Sequence, residues 1–105
     1  MSEKDIQNQI RAGVNDIAVT FRANVGKLYT DDGRMITTGL PKGFPDLFGY
    51  RKSDGRIVFI EVKTAKGRIR PEQVKFLEQV KKDGCLAGVA RSVADARKII
   101  EADKQ

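Results

Sequence analysis

The residues with the clearest chemical potential follow the most apolar run of the chain. Residues 57–60 read Ile-Val-Phe-Ile, as a buried strand does, and the chain continues as Glu61-Val62-Lys63. A carboxylate and an ammonium group are costly to bury at the end of such a run unless they are paired or bound to a metal ion. This pattern indicates a functional site at the end of the strand. The alternative interpretation is that Glu61 and Lys63 are the solvent-exposed end of an ordinary strand.

A second carboxylate is expected opposite Glu61. Asp46 opens the run DLFGY, and the segment Lys52–Gly55, which separates this run from the apolar one, ends in the hairpin signal Asp-Gly. With this segment as the turn, Asp46 lies directly across from Glu61, with their Cβ atoms ~5 Å apart on one face of the sheet. Lys63 lies on that same face because side chains alternate along a strand.

Two carboxylates in this arrangement repel each other, and a divalent cation between them removes the repulsion. We therefore expect Asp46 and Glu61 to hold Mg²⁺, with the backbone carbonyl of Val62 as a further ligand. Lys63 would help to orient or deprotonate a water molecule, or neutralise charge on a phosphate group. These are the parts that metal-assisted hydrolysis requires.

The composition excludes several other kinds of site. The chain has no histidine and a single cysteine, Cys85, so imidazole bases, Ser-His-Asp systems and Cys-based zinc sites are excluded. No GxxxxGK[ST] loop is present, and no nucleotide cofactor is expected. Twenty Lys and Arg residues against 14 Asp and Glu give a net charge of +6, which favours nucleic acid as the partner before a membrane.

The length and the N-terminal sequence set further expectations. A chain of 105 residues fits one domain, residues 1–105. No run approaches the ~20 apolar residues of a membrane span, and the N-terminus has no apolar segment of the signal-peptide kind. With one cysteine, a reducing, cytoplasmic setting is expected.

The periodicity of the chain predicts an α/β fold, a mixed sheet flanked by helices in the order α-β-β-β-β-β-α-β-α. Ser2 and Asp5 begin a first helix, whose buried stripe is Ile6, Ile10 and Val14. The other predicted elements are strands 17–23, 46–50, 56–63 and 85–91, a hairpin over 28–37 with a two-residue Asp32-Gly33 turn, a helix over 71–83 with Val74, Leu77 and Val80 facing inward, and a last helix capped by Ser92. Strands 56–63 and 85–91 should be parallel, because a helix connects them.

These residues resemble a known family. Gly43-Phe44-Pro45-Asp46 followed by Phe59-Ile60-Glu61-Val62-Lys63-Thr64 resembles the PD-(D/E)XK nuclease superfamily. The stretches GLPKGFPD, EVKTAKG, RPEQ and GVARSVADA are similar to its VRR-NUC branch, the virus-type replication-repair nucleases, and most closely to stand-alone members from phages and prophages. The resemblance implies a restriction-endonuclease-like fold and a Mg²⁺- or Mn²⁺-dependent deoxyribonuclease, in a bacterial cell or a phage-infected host.

The resemblance also implies roles for individual residues. Asp46 and Glu61 would be the metal-binding carboxylates, Lys63 the catalytic lysine, and Gln73 a glutamine that reaches the scissile phosphate or a metal-bound water. Glu3 would be an acidic residue of the first helix that adds to the metal site. The alternative for Glu3 is a solvated charge that interacts with the helix dipole.

Basic residues near these motifs are candidates for DNA contacts. Lys66, Arg68 and Arg70 form a basic stretch just beyond the apolar strand, and such residues give affinity for the phosphate backbone without reading sequence. Lys42 lies between two glycines and is either a phosphate contact or a solubilising loop residue. No recognition helix is evident in the sequence, which favours selection of DNA structure over DNA sequence.

The main hypothesis is an endonuclease that acts as a homodimer on branched DNA, above all on four-way (Holliday) junctions. Two other function classes compete with it. The first is a nucleic-acid-binding module on a nuclease fold that no longer cuts. The second is a protein-interaction domain whose basic charge is incidental. Only the second predicts no salt-dependent affinity for DNA.

Overall fold

Within residues 1–23, 27–37 and 39–102, which the computed structural model describes, the chain forms three helices and six strands. The helices are α1 (Glu3–Gly13), α2 (Pro71–Lys82) and α3 (Val93–Ile100). The strands are β1 (Ala18–Arg22), β2 (Lys27–Tyr29), β3 (Met35–Thr37), β4 (Leu47–Arg51), β5 (Ile57–Val62) and β6 (Leu86–Ala90). Their order along the chain confirms the predicted α-β-β-β-β-β-α-β-α sequence.

The main sheet has four strands in the order β1-β4-β5-β6, and β2 pairs with β3 in a separate two-stranded sheet. The β1–β4 and β4–β5 pairs are antiparallel, whereas β5 and β6 are parallel as predicted. Leu47 pairs with Ile60 and Phe48 with Phe59, which is the register inferred from a Lys52–Gly55 turn. Continued by one position, this register places Asp46 opposite Glu61.

The turn of the β2–β3 hairpin is wider than predicted. Tyr29 pairs with Met35, and the backbone N–H of Thr30 donates to the Arg34 carbonyl at 2.8 Å. Three residues, Asp31 to Gly33, therefore form the loop instead of Asp32 and Gly33 alone. Gly33 has a φ of 85°, as the last residue of a three-residue loop usually requires.

One face of the sheet carries an aliphatic core under α1 and α3. Alternate residues of β5 point to this face, and the predicted stripe of α1 is buried against them. The two helices begin at side-chain caps, from Ser2 and Ser92 respectively. The fully buried members of this core include Ile10, Val14, Val58, Ile60, Val62, Ala96 and Ile100. Burial of the Ile and Val side chains among them contributes roughly 1.5–3 kcal/mol each.

The opposite face carries α2 and a continuous aromatic cluster. The cluster contains all five phenylalanines of the chain, Phe21, Phe44, Phe48, Phe59 and Phe76, linked by ring-centroid distances of 5.2 to 5.8 Å. Most of these contacts are edge-on, which is a favoured geometry for aromatic pairs. The cluster therefore fixes α2 and the loop before β4 onto the sheet.

The prediction that Val74 faces inward is wrong. Val74 is 40% exposed, whereas Gln73 and Leu77 are buried. The inward face of α2 is thus defined by Gln73, Phe76, Leu77 and Val80, at helical spacing. The apolar pattern favours Val74 at the inward position because a polar residue is rarely buried. Gln73 is buried there instead, because its side chain hydrogen-bonds to Glu61 on the sheet.

Gly43 and Gly39 offer a matched test of how the loop before β4 is anchored. Both have positive φ values, 92° and 83°, but only at Gly43 would an added Cβ collide, 2.6 Å from the Glu72 carbonyl oxygen. We expect Gly39→Ala to lower the free energy of unfolding by about 1 kcal/mol through backbone strain. Gly43→Ala should lower it by about 2–4 kcal/mol, because the collision with α2 is added.

Urea unfolding of the two variants and the wild type measures this difference. Equal losses in both variants would show that the loop does not pack tightly against the start of α2.

Candidate active site

Glu61 is the buried centre of the site. Its side chain follows Phe59 on the α2 face of β5, and the residue is only 2% exposed. The Nζ atom of Lys63 lies 3.3 Å from Glu61 Oε2, and Gln73 Nε2 donates to the same oxygen at 2.9 Å. The side chains of Lys63 and Gln73 thus both contact Glu61 directly.

Gln73 is held in one orientation by the start of α2. Its Oε1 atom accepts the backbone N–H of Arg70 at 2.9 Å, an N-terminal capping contact three residues along the chain. The amide nitrogen is consequently directed at Glu61. Pro71 occupies the first turn of α2, where its missing N–H costs no helical hydrogen bond. The helix N-terminus therefore aims a fixed donor into the site.

Asp46 ends the pairing between β4 and β5. The register continued by two positions places Pro45 opposite Val62, and proline has no N–H to donate to the Val62 carbonyl. The N–H of Val62 donates instead to Asp46 Oδ2 at 3.0 Å. Because the N–H and C=O of one residue point to the same strand edge, the Val62 carbonyl is directed to the Asp46 side.

The positive charge of Lys63 does not fully compensate the negative charges of Glu61 and Asp46. Burial raises the pKa of Glu61 to about 7 from the ordinary 4.5, and the charge of Asp46 adds to this increase. The ammonium group of Lys63 acts in the opposite direction without cancelling the effect. A second positive charge would complete the compensation.

The donor set fits a hard divalent cation. Two carboxylates and a backbone carbonyl provide oxygen ligands, which Mg²⁺ and Mn²⁺ favour. The N–H groups described above donate to Asp46 Oδ2 and Glu61 Oε2, and the two carboxylates together would hold the cation. Among the described residues, no three His, Cys, Asp or Glu side chains come close enough to hold a metal ion together. Glu3, half-buried at the start of α1, stays a prediction as a third ligand.

The predicted DNA contacts are exposed. Lys66, Arg68 and Arg70 lie on the segment that joins β5 to α2, the same segment that connects Lys63 to Gln73. Lys42 is exposed in the loop that leads to Asp46. Arg70 also approaches Glu72, with 3.6 Å between its Nε and Oε1. Their role in binding DNA stays a prediction.

Two features of the site were not found from the sequence. The first is the aromatic cluster, whose members are far apart along the chain. The second is Arg91, which follows β6 and donates from Nη1 to the carbonyls of Thr64 and Gly67, the latter at 2.9 Å. A charged residue at the end of the strand parallel to β5 was the available signal, since parallel strands end at the same edge of a sheet.

Comparisons with known proteins identify the family and support the fold. The family model of the VRR-NUC domain matches residues 34–94, which include Asp46, Glu61, Lys63 and Gln73. A solved structure described as a VRR-NUC domain superposes with a TM-score of 0.63 at 25% sequence identity, covering 94% of both chains. The search of curated proteins gave no match. In the part of the chain that the structure describes, no helix has the length and apolar character to cross a membrane.

The raised pKa of Glu61 predicts how the metal-free protein responds to pH. The folded state holds a proton on Glu61 that the unfolded chain releases near pH 4.5, so this group should destabilise the fold as pH rises from about 4.5 to about 7. The loss should reach up to about 3 kcal/mol. Glu61→Gln, which imitates the protonated acid, should remove this loss.

Urea unfolding in EDTA at several pH values between 4.5 and 8 tests the prediction, with Glu78→Gln as the matched control on the exposed side of α2. If the wild type and Glu61→Gln show the same pH slope, the Glu61 carboxyl group titrates as an ordinary glutamate and the repulsion inferred here does not exist.

Proposed function

We propose a nuclease function for this chain, which belongs to the VRR-NUC domain family. In this proposal it is a Mg²⁺- or Mn²⁺-dependent endonuclease that hydrolyses phosphodiester bonds in branched DNA, with four-way junctions as the main substrate. The observation that supports this most directly is the contact of Lys63 and Gln73 with a buried Glu61 that lies opposite Asp46. These groups match what metal-assisted hydrolysis of a phosphodiester needs.

Each protein group has a distinct part in the proposed reaction. A divalent cation, when bound, would polarise the phosphate and lower the pKa of a water molecule. Asp46, Glu61 and the Val62 carbonyl would hold that cation. Lys63, whose residue is 8% exposed, would place an ammonium charge where negative charge develops, in surroundings that screen it weakly.

Gln73 would act in two ways at the site. Its bond to Arg70 fixes the amide, and its bond to Glu61 fixes the carboxylate rotamer that ligates the cation.

The proposed substrate follows from the charge distribution. Lys66, Arg68, Arg70 and Lys42 flank the site and would follow the phosphate backbone of DNA without reading its bases. A homodimer would present two such sites, which suits the two-fold symmetry of a four-way junction. The proposed setting is the cytoplasm of a bacterial cell or a phage-infected host.

A catalytically silent DNA-binding module is the second candidate. The basic residues beside the site support it, because they would bind DNA whether or not the strand is cut. It predicts metal-independent binding with no cleavage, so the experiment below separates the two.

Removal of the Lys63 ammonium group tests the proposed chemistry. Lys63→Met keeps most of the buried volume, and we expect it to lower the cleavage rate by about 10²–10⁴-fold while folding and DNA binding remain. The measurement is cleavage of labelled four-way junction, flap and linear duplex in Mg²⁺, Mn²⁺ or EDTA. Lys63→Ala should behave in the same way, and Lys81→Ala, an exposed lysine at the far end of α2, is the control.

If both Lys63 variants still cleave DNA at the wild-type rate, Lys63 has no role in the reaction. Binding of all substrates without cleavage by the wild type would favour the silent module. Cleavage of linear duplex at the rate of the branched forms would contradict structure selectivity.

The salt dependence of binding tests the proposed DNA path. Neutralising Lys66, Arg68 and Arg70 together should weaken junction binding and make the plot of log affinity against log salt less steep by about one unit per lost phosphate contact. Lys81→Ala with Lys82→Ala removes charge from the opposite end of α2 and should leave the slope unchanged. The same slope change in both variants would mean that net charge, not this segment, governs binding.

A further inference from the structure

Arg91 connects the end of one strand to the turn that follows the neighbouring one. It comes directly after β6, and its Nη1 atom donates to the carbonyl oxygens of Thr64 and Gly67. Both carbonyls belong to the turn that begins after Lys63. A guanidinium group bound to two backbone carbonyls makes charge-assisted hydrogen bonds, which contribute more than neutral ones.

The turn that Arg91 holds packs against Lys63. The N–H of Gly67 donates to the Thr64 carbonyl at 3.1 Å, which closes the turn. A Cβ atom added to Gly67 would lie 3.4 Å from Lys63 Cβ and 3.3 Å from the Thr64 nitrogen. The backbone of the turn is therefore folded back on the residue that the proposed mechanism needs.

Arg91 is itself fixed at its backbone. Its N–H donates to Asp95 Oδ2 at 2.9 Å, and the N–H of Asp95 donates to the Ser92 hydroxyl at 3.1 Å. The preceding residue, Ala90, accepts the N–H of Lys63 at 3.1 Å. The start of α3 thus holds Arg91, and Arg91 holds the turn after β5.

The direction of a side chain depends on the peptide planes on both sides of its Cα atom. At Lys63 the preceding plane is fixed by the bond to Ala90, whereas the following plane leads into the turn. Arg91 restricts how the chain continues beyond this second plane, because it binds the carbonyls of Thr64 and Gly67 in the turn.

We propose that Arg91 is a positioning residue: it orders the Thr64–Gly67 turn and thereby keeps the Lys63 ammonium group at Glu61. The inference rests on the proposed function, since positioning Lys63 matters only if Lys63 acts on a substrate. Arg91 would thus contribute to the proposed site without touching the cation or the scissile phosphate. The same turn carries Lys66, so its order also determines where that DNA contact is presented.

Arg97 provides a matched control. It is also a partly buried arginine that joins two elements, with Nη1 bound to the Gly13 carbonyl at 3.0 Å and to Asp16 Oδ1 at 2.8 Å. Its contacts lie at the α1–α3 junction, away from Lys63. Loss of its guanidinium group should affect stability in the same way as loss at Arg91, without reaching the site.

The experiment compares Arg91→Ala, Arg91→Lys and Arg97→Ala in single-turnover cleavage and in junction binding in EDTA. We expect Arg91→Ala to cleave about 10- to 100-fold more slowly, because a small displacement of a catalytic group has effects of this size. Junction affinity should change far less than the rate. Arg91→Lys should cleave faster than Arg91→Ala, and methylguanidinium added to Arg91→Ala should restore part of its rate. Arg97→Ala should cleave as the wild type does.

Hydrogen exchange measures the turn without reference to cleavage. The Gly67 amide should exchange faster in Arg91→Ala than in the wild type and Arg97→Ala. An unchanged Gly67 amide, an unchanged rate in Arg91→Ala, or an equal rate loss in Arg97→Ala would each overturn the inference while leaving the proposed function in place. A wild type that cuts no DNA under any condition would instead refute the proposed function, and the positioning role with it.

Discussion

The carboxylate of Glu61 is buried on the sheet face that carries the phenylalanine cluster, and the rest of the site is arranged around this constraint. An isolated charge there would be protonated or would unfold the strand end. Lys63 and Gln73 both bind its Oε2 atom, yet Asp46 adds a second negative charge on the opposite strand. A fold selected only for stability would not place that charge there. The imbalance makes sense for a protein that completes the site with a cation.

The aromatic cluster turns this local arrangement into a rigid one. Asp46 stands two residues from both Phe44 and Phe48, and Glu61 stands two residues after Phe59, all on the α2 face of the sheet. Rings at these positions are in mutual contact, so the loop, both strands and α2 cannot move independently. Functional groups need such support to keep their geometry within a fraction of an ångström. The cluster is therefore the foundation of the site as much as it is part of the core.

The sequence was sufficient for the order of the elements and for the β4–β5 turn, but not for the length of the β2–β3 turn. The order of the elements, the helix caps and the register that opposes Asp46 to Glu61 were all predictable, because the Lys52–Gly55 turn fixes the hairpin. Contacts between distant parts of the chain were not predictable. Val74 was assigned inward because an apolar residue usually is, whereas Gln73 faces inward to meet a partner on β5. The link from Arg91 to the turn after Lys63 is likewise a contact between residues that are far apart in the sequence.

The pair Pro45-Asp46 explains how one strand end can be both ordered and available to a ligand. On the β6 side, β5 remains hydrogen-bonded through Lys63 and Ala90. On the β4 side, Pro45 has no N–H to donate to the Val62 carbonyl, and the Asp46 side chain accepts the Val62 N–H that the Pro45 carbonyl would otherwise accept. The last residues of β5 are therefore held from one edge and left open at the other. A cation at the open edge would meet two carboxylates and a carbonyl without any sheet hydrogen bond having to break, so the proposed metal site would require no opening of the fold.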